Sequence, residues 1–295
     1  MATTRAILRR IKSVRNISQV TRAMEMVAAS KMRRAQNATL ASRAYAEKSW
    51  QVLTTLAAQP GSGKLLHPLL EERAEIKQVA LVLITGDRGL CGAYNVNVIR
   101  KGLEFMRQHQ GTKLVTIGRR GRDIANRLGK PIIAEFTGLS ERPTILDVGP
   151  IANIVIEEFT AGRADQVYVA YTDFKNVLTQ IPTIKQLLPI RPSGPPPEDV
   201  QAKGLEAVYL YEPDPETILA SVLPRFTELQ IYQALLESVA SEWAARMVAM
   251  RSATDNAQEL IQDLTLAMNK ARQASITKEM LDIAGGAEAQ RKAQA

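Results

Sequence analysis

The chain has 295 residues, 38 of them Lys or Arg against 30 Asp or Glu, for a formal net charge of +8. With 45% hydrophobic residues it can build one large core or two modest ones. Its one cysteine, Cys91, excludes an internal disulfide and a paired-cysteine metal site, so a reducing compartment is expected. The longest aliphatic run, Val79–Ile84, is far short of the ~18 apolar residues that a membrane-spanning helix needs, and the N-terminus has no apolar stretch of the kind a secretory leader carries.

The positive charge is concentrated. Residues 1–50 hold 11 Lys and Arg against Glu25 and Glu47, a net +9; the 27 basic and 28 acidic residues of the remainder leave −1. The first element is therefore expected to meet something acidic: nucleic acid, anionic lipid or an acidic protein surface.

Residues 5 to about 58 contain neither Gly nor Pro, and apolar residues recur at Ile7, Ile11, Val14, Ile17, Val20, Met24 and Val27 in steps of three and four. That spacing predicts a helix. About 54 residues would span roughly 80 Å, which points to a coiled coil rather than a globular helix. Pro60-Gly61-Ser62-Gly63 breaks it, and 59–75 reads as a linker.

From 76 to 206 the pattern changes. Strands are expected at Gln78–Thr85, Lys113–Gly118, Pro131–Thr137 and Gln166–Thr172. Helices are expected at Asn95–Gln110, Arg119–Gly129 and Gly149–Gly162. This alternation is the signature of an α/β domain with a mainly parallel sheet, Rossmann-like in outline. The Pro-rich segment 191–197 reads as a stiff loop. A short strand, Ala207–Tyr211, should precede a second long helix from Pro215 to about Ala284. Its apolar residues include Phe226, Leu229, Leu236, Trp243, Met247, Leu264 and Met268; Gly285-Gly286 should end it and leave 286–295 as a tail. About 70 residues give roughly 105 Å. Two long terminal helices, each with an apolar stripe to hide, should wind into an antiparallel, left-handed coiled coil with the α/β domain inserted between them. The longer C-terminal helix should then project alone at one end.

No catalytic constellation emerges. Gly61-Ser62-Gly63-Lys64 follows no strand and has Leu65 where a phosphate loop needs Ser or Thr. Gly86, Gly89 and Gly92 follow a strand and precede a helix, but their three-and-three spacing is not that of a dinucleotide loop, and a tight turn is the better reading. His67 and His109 lie far apart. No metal or cofactor is expected. The basic helix lacks the interleaved aromatics of a single-strand binder. A nucleic-acid-binding coiled coil and a Rossmann-like dinucleotide enzyme with helical arms stand as the alternative readings.

Three stretches carry a resemblance: Arg10–Arg34 (RIKSVRNISQVTRAMEMVAASKMRR), Ile84–Val96 (ITGDRGLCGAYNV) and Ala244–Ala284 (AARMVAMRSATDNAQELIQDLTLAMNKARQASITKEMLDIA), with Tyr209–Pro213 (YLYEP) as a fourth. In this order and over essentially the whole chain, they resemble the γ subunits of bacterial-type rotary F-type ATP synthases. The chain lacks the inserted paired-cysteine segment of the chloroplast type, so thiol regulation is not expected. The resemblance implies a non-catalytic rotor shaft on the cytoplasmic face of the plasma membrane. Such a shaft couples proton flow through the c-ring to ATP synthesis or hydrolysis at the head of α and β subunits, and helps regulate ATPase activity. It implies head contacts at Met24, Arg22, Arg33, Arg34, Arg246, Arg272, Gln273, Thr277, Glu279 and Asp282. Contacts with the c-ring and ε subunit are implied at Tyr209, Tyr211 and Glu212.

Overall fold

The computed structural model describes residues 4–57, 67–73, 75–191 and 215–293. The chain opens with α1 (Thr4–Ala57), then a one-turn 3-10 helix at Pro68–Leu70. An alternating series follows: β1 (Val79–Ile84), α2 (Tyr94–Gln108), β2 (Lys113–Ile117), α3 (Arg119–Arg127), β3 (Ile132–Phe136), α4 (Ile145–Thr160) and β4 (Gln166–Phe174). β5 (Gln180–Leu188) and the long α5 (Pro215–Ala293) complete it. The chain divides into two compact units. One holds the residues up to Val27 with those from Met247 onward; the other is Ala28–Arg246.

In the second unit the strands form one sheet in the order β3-β2-β1-β4-β5. The first four are parallel, and β5 is antiparallel to β4. All six residues of β1 are buried, as a central strand covered on both faces requires. Its alternate residues serve two cores. Ala80, Val82 and Ile84 pack with Val148, Ile151, Val155 and Phe159 of α4 and with Leu219, Leu223, Phe226 and Ile231 of α5. Val79, Leu81 and Leu83 pack with Val98 and Phe105 of α2 and Ala125 of α3. The first turns of α5 are therefore part of the domain core, so Phe226 packs there rather than in a coiled coil.

Three expectations are corrected. β5 was not foreseen; its turn is made by Asn176, whose Oδ1 accepts from the amides of Leu178 (2.9 Å) and Thr179 (2.7 Å). α4 begins at Ile145 rather than Gly149, because the Asp147 carboxylate accepts from the Thr144 amide (2.7 Å) and hydroxyl (2.9 Å). α5 runs through Gly285-Gly286 to Ala293, so no separate tail begins at 286. The foreseen strand 207–211 and most of the 191–197 loop lie outside the described residues. Among the described residues no helix is long and apolar enough to cross a membrane.

In the first unit α1 and α5 lie together along a seam that is apolar with a small, hydroxyl-bearing stretch at Ser18, Thr21, Thr254 and Ala257. Thr21 Oγ1 and Thr254 Oγ1 are 2.7 Å apart and buried. Each hydroxyl also reaches a carbonyl of its own helix, Thr254 that of Met250 (2.9 Å) and Thr21 that of Ser18 (3.1 Å), so either can donate across the seam. Shielded residues of α1 include Thr4, Ile7, Ile11, Val14, Ser18, Thr21 and Glu25; those of α5 include Met247, Met250, Thr254, Ala257, Ile261, Leu264, Met268 and Ala271. Both series step strictly by three and four. A seven-residue repeat imposes a left-handed supercoil. Counting outward antiparallel from Thr21–Thr254 sets Ser18 level with Ala257, Val14 with Ile261, Ile11 with Leu264, Ile7 with Met268 and Thr4 with Ala271. Shielding on α5 stops at Ala271, where α1 begins; every residue from Arg272 to Ala287 is exposed.

The expected register of α1 is corrected as well. Ile17, Val20 and Val27 point outward, at 53%, 58% and 52% exposure. They form a second apolar stripe beside the seam.

The start of the sheet depends on one carboxylate. Asp165 Oδ2 accepts from the amides of Lys77 and Gln78, both at 2.8 Å, and Oδ1 accepts from Arg73 Nη1 at 2.9 Å. Burial pushes this carboxyl up, but the Gln78 amide and Arg73 outweigh it and hold the acid below its ordinary range. Because the native value is depressed, the stabilisation is full above the ordinary Asp pKa of ~3.9 and lost as pH falls through the native value. Asp165→Asn should therefore lower the melting temperature at pH 7, and the difference from wild type should close in melts below pH ~3.

Candidate functional site

A parallel sheet whose strand order reverses offers a crevice at the carboxyl ends of its strands, where doubly wound folds bind nucleotides. Here the reversal lies between β1 and β4, since β2 and β3 lie on one side of β1 and β4 on the other. A cavity of about 300 Å³ opens at this edge, lined by the turn after β1, the start of α3, the loop after β3, and Glu242, Trp243 and Arg246 of α5.

Its phosphate-binding elements are already used. The Gly86 amide donates to Asn95 Oδ1 at 2.8 Å. The first amide of α3, on Arg119, donates to Asp87 Oδ1 at 2.9 Å, and the Gly138 amide donates to Asp87 Oδ2 at 2.9 Å. A helix N-terminus with free amides is a ready anion site; at α3 the chain's own carboxylate takes that place. Glu242 enters from the other side, and a Cβ on Gly86 would lie 2.9 Å from its carboxylate carbon. Gly118 is equally constrained: its φ is +93°, and a Cβ there would lie 2.1 Å from the Thr85 carbonyl oxygen.

Burial raises the titratable groups here. Burial pushes Glu242 up, while Arg246, with Nη2 at 2.6 Å, draws it back. Burial and then Glu242 push the Cys91 thiol up, which suppresses the thiolate. Tyr94 is raised well above its usual value by burial. Among the described residues no cluster of His, Cys, Asp and Glu could hold a metal ion.

The residues named from the resemblance fall in different settings. In the first unit, Arg22 is exposed and Met24 half-buried; Arg272, Gln273, Thr277, Glu279 and Asp282 all lie on the exposed end of α5. Gln273 and Thr277 share a face at four-residue spacing, with Met280 one turn on. In the second unit, Arg33 and Arg34 are exposed, but Arg246 is 6% exposed and satisfied within the chain. Tyr209, Tyr211 and Glu212 lie outside the described residues. Sequence reasoning missed the exposed Ile283 and the outward stripe Ile17, Val20 and Val27. A strict seven-residue count would have separated that stripe from the seam.

A family model described as ATP synthase matches residues 3–290. The ATP synthase gamma chain of Dehalococcoides mccartyi strain CBDB1 is 51% identical over 290 residues, covering 98% of this chain and 99% of the relative. That of Roseiflexus castenholzii is 50% identical over 293 residues, with 98% and 99% covered. This chain belongs to the ATP synthase gamma chain family. Among solved structures, the central stalk and c-ring structure of the Tetrahymena thermophila mitochondrial ATP synthase contains a chain 26% identical, with TM-score 0.60 over 79% of this chain and 99% of that one. A chain of the Euglena gracilis mitochondrial ATP synthase, at 20% identity, shares the fold with TM-score 0.69, covering 99% of this chain and 96% of that one. Family membership removes both alternative readings, the nucleic-acid binder and the dinucleotide enzyme.

The Asp87 bridge gives a direct test of how the crevice is closed. Asp87→Ala removes the acceptor for two amides, and the chain should lose about 1–2 kcal/mol in urea denaturation, discounted for partial solvent exposure. Asp87→Asn, which keeps one acceptor oxygen, should lose less.

Proposed function

We propose that this chain is the central rotor shaft of an F-type ATP synthase, and that it transmits rotation without catalysing a reaction itself. The observation that carries this reading is the seam that ends at Ala271 while α5 continues, helical to Ala293 and exposed throughout 272–287, for about six further turns. A helix with no partner of its own at this length is marginal in water. Its surroundings must come from another protein, and in this family that is the head of α and β subunits.

The exposed end of α5 mixes Arg272, Gln273, Thr277, Glu279 and Asp282 with Ile276, Met280, Leu281 and Ile283. Directional hydrogen bonds that form at one angle and break at the next suit a catch, at ~1–3 kcal/mol each when charged. The basic first helix, with Arg22, Arg33 and Arg34 exposed and Met24 half-buried, suits the acidic surfaces of the β subunits. The foot, with Tyr209, Tyr211 and Glu212, is assigned to the c-ring and ε subunit on the family resemblance. The chain would sit peripherally on the cytoplasmic face of the bacterial membrane, and its contacts would also restrain ATPase activity. The non-catalytic reading is supported by the crevice, where Asp87 and Glu242 stand in the positions a nucleotide would need.

A tagged copy should bring down α, β and ε subunits from its own cell. Replacing Gln273 and Thr277 together with Val keeps the helix but removes both hydrogen-bonding groups. ATP hydrolysis by the assembled head should fall about two- to tenfold, with lower complex yield. Equal turnover and equal yield would remove the catch from this face.

A further inference from the structure

Among the described residues Arg246 alone of the cations is buried, at 6% exposure. Its Nη2 lies 2.6 Å from Glu242 Oε1 and 3.2 Å from the carbonyl oxygen of Gly89, and its guanidinium carbon lies 4.6 Å from the Trp243 ring centre. Lys31 Nζ of α1 also stands 4.6 Å from that ring and pairs with Glu141 in the loop after β3. One turn of α5 therefore holds the turn after β1, the loop after β3, and α1. The gripped turn contains Leu90 with φ +61°, a left-handed conformation that a bulky side chain adopts only when its surroundings enforce it.

We propose that Glu242, Trp243 and Arg246 form the torsional anchor by which the α/β domain grips α5, and that Gly86 lacks a side chain in order to admit it. The proposal rests on the rotor-shaft reading. The remaining core contacts of α5 with the sheet are largely apolar, and apolar contact has no preferred angle. A buried ion pair joined to a carbonyl does have one: a small rotation of the helix would leave charge unpaired at low dielectric. The hydrogen bonds of Ser238 and Ser241 to the backbone of Thr172 are neutral. The Arg43 tie to Glu237 involves a side chain 39% exposed, hence one more open to screening. In this arrangement Arg246 is a positioning residue.

The test uses the assembled complex. The head is fixed to a surface, a bead is attached to the α/β domain of this chain, and the angular fluctuation of the bead is recorded at a catalytic pause. Glu242→Gln keeps the shape and removes the charge. Gly86→Ala adds one methyl group 2.9 Å from the Glu242 carboxylate and leaves every charge in place. Both should widen the fluctuation by about twofold. Arg122→Ala, which breaks an exposed pair with Asp123 and touches no part of the anchor, should not. Wild-type width in both anchor variants would overturn the proposal. A wild-type complex that assembles without turning would instead overturn the shaft reading. The anchor would then be decided by hydrogen exchange on the free full-length chain. Faster exchange of amides 86–92 in Glu242→Gln, by about tenfold, would uphold it, and unchanged exchange would overturn it.

Discussion

A helix can bury one stripe against one neighbour, and α1 carries two stripes. The seam side of its first unit runs through Thr4, Ile7, Ile11, Val14, Ser18, Thr21 and Glu25; the neighbouring side shows Ile17, Val20 and Val27 to solvent. If burial of apolar area alone set the register around Thr21, Ile17, Val20 and Val27 would face α5 in place of Ser18 and Thr21. They do not. The seven-residue repeat on both helices, with small or hydroxyl-bearing residues at Ser18, Thr21, Thr254 and Ala257, holds a different register. Thr21 and Thr254 lie in hydrogen-bond contact there, each hydroxyl also within reach of a carbonyl of its own helix, and that directional contact exists in this register alone. A directional polar contact at an interface thus specifies the alignment, and the stripe of Ile17, Val20 and Val27 is left exposed.

The same economy governs the α/β domain. Its topology creates a crevice at the strand reversal, and the sequence fills it from within. Asp87 stands at the N-terminus of α3 and Glu242 stands against Gly86. The amides of Gly86, Arg119 and Gly138 at that edge each have an internal acceptor. What remains is a domain with a helix of the shaft built into one core. Leu219, Leu223 and Phe226 join α5 to α4 and the sheet before the helix departs.

Much of this could be read from residues alone. β1 through β4 announced themselves as apolar runs bounded by Gly or Pro, and the absence of breakers from residue 5 to 58 announced α1. The exceptions have physical causes. β5 is an edge strand with Pro182 and Lys185, so its alternation is weak and proline argues against it; an edge tolerates both. Gly285-Gly286 reads as a stop, yet each glycine costs only about 1 kcal/mol against alanine in a helix, and Ala284, Ala287 and Ala289 flank the pair. The start of α4 was legible in Thr144 and Asp147 but was obscured by Gly149-Pro150 behind them. Among candidate site residues, Gln273, Thr277 and their neighbours lie on an exposed face as expected. Arg246 does not: its burial depends on Glu242 and Gly89, and nothing in local sequence shows that a carbonyl 157 positions away will face it.

A shaft has two opposite mechanical needs. Where it joins its foot it must resist twisting, and where it turns in a sleeve it must slip. Directional, buried polar contacts meet the first need, because their energy depends steeply on angle and water cannot substitute for a lost partner. Exposed apolar side chains meet the second, because dispersion and burial have little angular preference. The distribution along α5 follows that division. Glu242 and Arg246 lie within the α/β unit, shielded and paired. Ile276, Met280 and Ile283 lie past Ala271, exposed and without a partner helix of this chain. Arg272, Gln273, Thr277, Glu279 and Asp282 stand among them, exposed groups whose hydrogen bonds and charge pairs depend on angle. In the catch proposed above, polar side chains set among apolar ones would hold at one orientation and release at the next, which a uniformly apolar helix end could not do.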